Sequence, residues 1–283
     1  HRDLHSFPTR RSSDLLAESP DFDVRITVFD ANQRKDALNR ILDSIDGRRY
    51  RLLYTFGTLV TQAALRKKYE IPVIFNVVQR PVEGRVAKSM EAPGGRATGA
   101  SNIVPMESAF LTLNNMMTIR KLGFIYSSHD PAPRYQLADI RKQEKRFGFQ
   151  TTPFPINGVN GIAETMKMLI AFRPDAVMFP SDSFVAANAS RIIGILNRHR
   201  IPSIVVIPEM VRDNGALISL GPDYRTLGVL AAENAIQVLK GKAAGTLPVR
   251  TVPHLSLLIN LSTAERLGYH VPMQLLSVST VVR

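Results

Sequence analysis

The sequence predicts an α/β protein built from two doubly wound parallel-sheet lobes. From Val24 onward, short apolar runs alternate with amphipathic segments, which is the pattern of βαβ units. The order of these runs in the first half returns in the second. The chain has 283 residues, 45% hydrophobic and 21% charged. That size and balance suit two domains and exclude disordered and fibrous classes.

The second half is the easier to read. Residues 122–126 form an apolar strand, and 134–147 a helix closed by Gly148. A strand at 150–155 precedes a helix at 161–172, with Ile162, Met166, Leu169 and Ile170 on one face. Further strands are expected at 176–180, 202–207 and 216–220, with a helix at 183–199 between the first two. The first half gives strands at 24–29, 52–56, 72–77 and near 98–103, and helices at 34–45 and 59–69.

The clearest echo pairs Leu52-Leu53-Tyr54-Thr55-Phe56-Gly57-Thr58, then Ile71-Pro72-Val73-Ile74, with Ala176-Val177-Met178-Phe179-Pro180-Ser181-Asp182-Ser183, then Ile201-Pro202-Ser203-Ile204. Each is strand, small polar loop, helix, Ile-Pro, strand. Proline opens the second strand, where a missing N–H is tolerated.

Aligning the halves exposes a gap. The second half opens strand–helix–strand, whereas the first opens at its second strand. Residues 16–22 read as the tail of a helix whose beginning, with the strand before it, is missing from lobe 1. In a sheet of order 2-1-3-4-5 that strand is central. Residues 1–15, His1 through Leu15, show no periodicity and resemble a translated sequencing adapter, so they are set aside from the fold. The expected division is 16–104 plus about 222–250 for lobe 1, and 105–221 plus about 251–283 for lobe 2.

The net charge is +12, from 36 Lys and Arg against 24 Asp and Glu. The basic residues are spread along the chain with no helix-turn-helix, zinc finger or aromatic-studded RNA motif, so they read as solvated helix faces and no nucleic-acid partner is expected. Cysteine is absent, which excludes disulfides, thiolate metal sites and a cysteine nucleophile. The histidines show no metal spacing, and Pro93-Gly94-Gly95 is a turn rather than a phosphate cradle, since no Lys-Ser/Thr follows it. His129 beside Asp130 reads as a solvent loop. No catalytic residue, metal or cofactor is expected.

Several segments together carry a family resemblance. They are Gly57-Thr58; Ile71-Pro72-Val73-Ile74-Phe75 leading into Pro81-Val82-Glu83-Gly84; Pro93 through Ser101; and Leu122-Gly123-Phe124-Ile125-Tyr126. Later ones are Gly215 through Gly221, Asp223-Tyr224, Leu239-Lys240-Gly241 and Ala264-Glu265-Arg266-Leu267-Gly268. In order and spacing they resemble the substrate-binding proteins of ABC transporters, of the tryptophan/tyrosine-binding type. The resemblance implies a type I periplasmic binding protein fold, with two lobes facing each other across a central cleft and closing on a small molecule. It implies an ABC permease and its ATPase as partners, a monomer, and a periplasmic or lipid-anchored extracytoplasmic location. It implies an amino acid as the default ligand, aromatic ones included.

In doubly wound sheets ligands bind beyond the carboxyl ends of the strands, and helix N-termini there suit a carboxylate. The candidate ligand residues are accordingly Gly57, Thr58, Gln79, Thr98, Gly99 and Ser101 in lobe 1, and Ser127, Ser128, Asp182, Ser183 and Glu209 in lobe 2. Asp182 is the candidate partner for a ligand ammonium. Arg80-Pro81-Val82 stands where the family commonly reads Asp-Pro-Val, and Ala132 and Pro133 replace polar donors, which leaves the ligand's charge open. The alternative reading is the ligand-sensing core of a two-lobe regulator or receptor.

Overall fold

The computed structural model describes residues 22–32, 34–130, 132–252 and 255–283. The chain divides into two compact units, one drawn from His1–Ile103 and Pro222–Pro253, the other from Val104–Gly221 and His254–Arg283. The chain first builds α1 (Lys35–Asp43), β1 (Leu53–Phe56), α2 (Thr58–Leu65), β2 (Val73–Asn76) and β3 (Ala97–Ser101). It continues through α3 (Met106–Asn114), β4 (Lys121–Ser127), α4 (Ala132–Arg141), α5 (Glu144–Phe147), β5 (Gln150–Ile156), α6 (Gly158–Phe172) and β6 (Ala176–Phe179). Next come α7 (Ser183–Ala187), α8 (Ala189–Arg198), β7 (Ser203–Val205), α9 (Glu209–Arg212) and β8 (Ile218–Gly221). It returns to the first unit for α10 (Tyr224–Leu239) and β9 (Arg250–Thr251), and ends in the second with β10 (Ser256–Asn260), α11 (Leu261–Leu267), α12 (Met273–Leu276) and β11 (Thr280–Val282).

In the first unit the strands run parallel in the order β1-β2-β3-β9, with Leu53 opposite Val73 and Val73 opposite Ala97. Every residue of β2 and β3 is buried. A parallel sheet covered on both faces reads as a continuous apolar run, as Val73-Ile74-Phe75 does. One cover is α10, which contacts β2 and β3 and buries Leu227, Ala231, Ala232 and Ala235. Gly99 makes the close strand approach possible, since a Cβ there would lie 1.9 Å from the Phe75 carbonyl oxygen. Beyond α2, Arg96 donates to the Ala64, Lys67 and Ile71 carbonyls at 2.8, 3.1 and 2.7 Å, tying the end of α2 and the approach to β2 to the start of β3.

Residues 24–29 do not form the expected strand. The run joins no ladder, and Ile26, Val28 and Phe29 are exposed. An apolar run becomes a strand only beside a partner, and among the described residues β2 is the sole ladder neighbour of β1. The expected helical tail at 16–22 lies outside the described residues except for Phe22, which is not helical.

The second unit holds a seven-stranded sheet, ordered β11-β10-β8-β7-β6-β4-β5 and parallel except where β10 runs against β8. Alternate residues feed two cores: Leu122, Phe124, Ala176 and Met178 on one face, Ile125, Val177 and Phe179 on the other. Burying each such large side chain stabilises by about 1.5–3 kcal/mol. As expected, α6 buries Ile162, Met166 and Leu169 on its inner face.

Two expected helices are each divided. The 134–147 segment breaks between α4 and α5, where Gln143 N–H closes back on the Ile140 carbonyl. The Glu144 carboxylate then accepts from Thr151 N–H at 2.8 Å, pinning α5 to the start of β5. The 183–199 segment breaks at Asn188, whose φ of −109° leaves the helical range and whose side-chain amide donates to the Phe184 carbonyl at 2.8 Å. The α/β class and the parallel sheets stand in both units.

Candidate functional site

At the carboxyl end of β1, Gly57 takes φ +88°, ψ 157°, a conformation that side-chain-bearing residues rarely adopt, and its N–H donates to the Asn76 carbonyl at 2.9 Å. The chain then enters α2 at Thr58. Thr58 is 4% exposed and its hydroxyl oxygen is buried without a hydrogen-bond partner. The first turn of α2 therefore brings free backbone N–H groups and a buried, unengaged hydroxyl together. Thr61 steadies this turn, donating to the Gly57 carbonyl at 2.8 Å and meeting the Thr55 hydroxyl at 2.9 Å.

β2 ends nearby. Asn76 is fully buried, with its amide nitrogen 2.8 Å from Tyr54 OH. Val77 follows with φ +58°. A β-branched residue in the left-handed region costs on the order of 1–3 kcal/mol and persists only where its surroundings enforce it. Gln79 is 5% exposed, and its carbonyl accepts from the Ser101 hydroxyl at 3.3 Å. Gly57, Thr58, Gln79 and Ser101 thus all sit at carboxyl strand ends of the first unit.

Thr98 and Gly99 serve the sheet. The Thr98 hydroxyl donates to the Leu247 carbonyl at 2.8 Å and accepts from the Asn234 amide at 3.1 Å, tying β3 to α10. Gly99 is required by its approach to β2, as described above.

In the second unit the loops after β4 and β6 meet through Asp182. Its carboxylate accepts from Ser127 N–H at 2.6 Å and from Val185 N–H at 3.0 Å, the second being the cap of α7. Asp182 is 1% exposed, and burial raises its pKa above the usual carboxylate value against the pull of the N–H donors. Ser127 is buried, Ser128 donates its N–H to the Ile156 carbonyl, and Ser183 opens α7. Glu209 opens α9 and faces Arg212 at 3.9 Å.

The structure adds a residue to this group that the sequence reading assigned to a solvent loop. Asp130 accepts from Ala132 N–H at 2.9 Å at the start of α4. Burial pushes its pKa up to about 6; the Ala132 N–H lowers it and the Asp182 charge raises it. The signal available in the sequence was Asp130-Pro131-Ala132, an acid before a helix start. Neither Asp130 nor Asp182 forms an ion pair among the described residues. Asp182 is buried and Asp130 half-buried, and a carboxylate withdrawn from water without a cation favours an incoming positive group.

Among the described residues no three His, Cys, Asp or Glu gather as a metal ion would require. No described helix is long and apolar enough to cross a membrane.

Comparison with known proteins agrees with this architecture. The family model for the ABC transporter substrate binding protein matches residues 21–282. A tyrosine-binding protein of Clostridioides difficile is 29% identical over 234 residues, 81% of this chain; the chain spans 65% of the length of that relative. Two solved structures share the fold. A conserved domain protein from Vibrio cholerae has a TM-score of 0.90 at 23% identity, covering 98% of this chain and 94% of that one. An ABC domain from Streptococcus pneumonia in complex with L-Trp has a TM-score of 0.91 at 22% identity, covering 97% and 94%. With the family model matched across nearly the whole sequence, the chain belongs to the ABC transporter substrate binding protein family.

Proposed function

We propose that this chain is the solute-binding component of an ABC importer, working outside the cytoplasmic membrane with a permease and its ATPase, and that its solute is a zwitterionic amino acid, an aromatic one in the first instance. The observation that carries this reading is the opposite polarity of the two strand-end clusters. The first unit offers helix N–H groups and the Thr58 hydroxyl, which suit a carboxylate. The second offers Asp130 and Asp182 without a cation of their own, which suit an ammonium. An α-amino acid carries both groups. The relative that binds tyrosine and the fold neighbour holding L-Trp support an aromatic side chain.

Titration calorimetry tests the reading with four compounds: L-tyrosine, L-tryptophan, tyramine and 3-(4-hydroxyphenyl)propionate. The expected result is saturable binding of an amino acid and a loss of about a hundredfold or more for the compounds that lack its carboxylate or its ammonium. Equal binding of tyramine and L-tyrosine would remove the carboxylate assignment. Absence of binding by all four would overturn the aromatic amino acid reading.

A further inference from the structure

The backbone at the end of β2 breaks the strand's own rule. Val73 through Asn76 alternate across the sheet, and then Val77 turns into the left-handed region at φ +58°. The sequence offers no glycine here, although glycine would take this conformation without penalty. Instead the turn is held from both sides. The Asn76 side-chain oxygen accepts from Val77 N–H at 2.9 Å, while its amide nitrogen reaches across to Tyr54 OH on β1. Val77 is 8% exposed and Val78 is fully buried in the cluster with Val73 and Phe75. Val77 and Val78 are both inside, as are the four residues of β2 before them, so the turn is made within the packed interior. The following carbonyl, that of Gln79, is tied to the Ser101 hydroxyl at the end of β3.

We infer that Asn76 and Val77 form a strained elbow that positions Gln79 and the backbone beside it for the solute. The inference rests on the reading that carboxyl strand ends of the first unit receive the solute's carboxylate. Asn76 and Val77 are positioning residues: both are buried, and they act through the path they impose on residues 77–79. Strain of this kind is retained where a fixed backbone geometry has a use.

The test compares three variants by L-tyrosine titration, thermal melting and amide hydrogen exchange. Val77→Asn puts a residue that tolerates left-handed backbone at the elbow, and affinity stays within about threefold of the parent. Asn76→Leu removes both the acceptor for Val77 N–H and the link to Tyr54, and affinity falls about tenfold or more while the melting curve remains cooperative. Val77→Gly frees the backbone and gives the same direction of loss should Asn76→Leu fail to fold. A folded Asn76→Leu or Val77→Gly protein with parental affinity would overturn the inference. Hydrogen exchange supplies a ligand-free reading: residues 77–79 are protected in the parent and in Val77→Asn, and exchange faster in Asn76→Leu or, if that protein does not fold, in Val77→Gly. Unchanged protection in the folded variant sinks the elbow whatever binds, whereas absence of L-tyrosine binding by the parent counts against the solute reading and leaves the exchange result to decide the elbow.

Discussion

Asp182 accepts the backbone N–H of Ser127 at 2.6 Å, joining the end of β4 to the start of α7 across 55 residues of sequence. Its other oxygen caps α7 through Val185 N–H. Both oxygens face N–H donors, and an amide accepts at only one of its two ends. Asp182→Asn is therefore expected to lose about 1–3 kcal/mol of stability in urea denaturation. Loss of solute binding should accompany it. A variant that keeps full affinity would show that Asp182 is a cap alone.

Asp130 contributes to the acid behaviour of the second unit. Its folded pKa of about 6 lies above the reference value of 3.8, so between these values the folded protein holds a proton that the unfolded chain has released. Its contribution to stability is full below pH about 4 and is lost as pH rises through about 6. The stability of the parent should fall from pH 5 to pH 7 relative to Asp130→Asn by about 1 kcal/mol, read as a lower melting temperature. Parallel pH profiles for the two proteins would contradict this.

Thr58 carries a buried hydroxyl without a partner. Replacing a group of that kind by an apolar isostere is nearly neutral or stabilising. Thr58→Val is therefore expected to melt at or above the parental temperature while binding L-tyrosine about tenfold more weakly. Equal weakening of both properties would indicate a packing role instead.

Thr98 gives the opposite split. Its hydroxyl joins the Leu247 carbonyl to the Asn234 amide in a buried network between β3 and α10. Thr98→Val should cost about 1–3 kcal/mol in chemical denaturation, because it leaves buried polar groups unsatisfied. Solute affinity of the folded variant should be unchanged; a large affinity loss would return Thr98 to the binding site.

These cases show where sequence reading reached and where it stopped. Buried strands such as β2 and β6 announce themselves by unbroken apolar runs, because parallel sheets cover both faces. Asp182 was visible because a cap lies immediately before its helix. Asp130 was not, because the Asp182 charge that acts on it stands 52 positions downstream. The structural duty of Thr98 was hidden for the same reason, its partner Asn234 standing 136 positions downstream. Residues 24–29 have the composition of a strand, but composition supplies no neighbouring ladder. The break at Asn188 rests on a single side-chain amide competing for a carbonyl within its own helix.

The return of the chain to the first unit has a consequence for the order of synthesis. β2 and β3 are made early, but the helix that covers one of their faces, α10, spans Tyr224–Leu239 and follows the Val104–Gly221 part of the second unit. As the polypeptide emerges from the ribosome, an apolar sheet face must wait uncovered while more than a hundred intervening residues are added. The amino-terminal unit thus reaches its final packing late, although it is begun first. Thr98, whose hydroxyl later meets Asn234 of α10, and Ala100 on the same face of β3 therefore spend a long interval without their lasting cover.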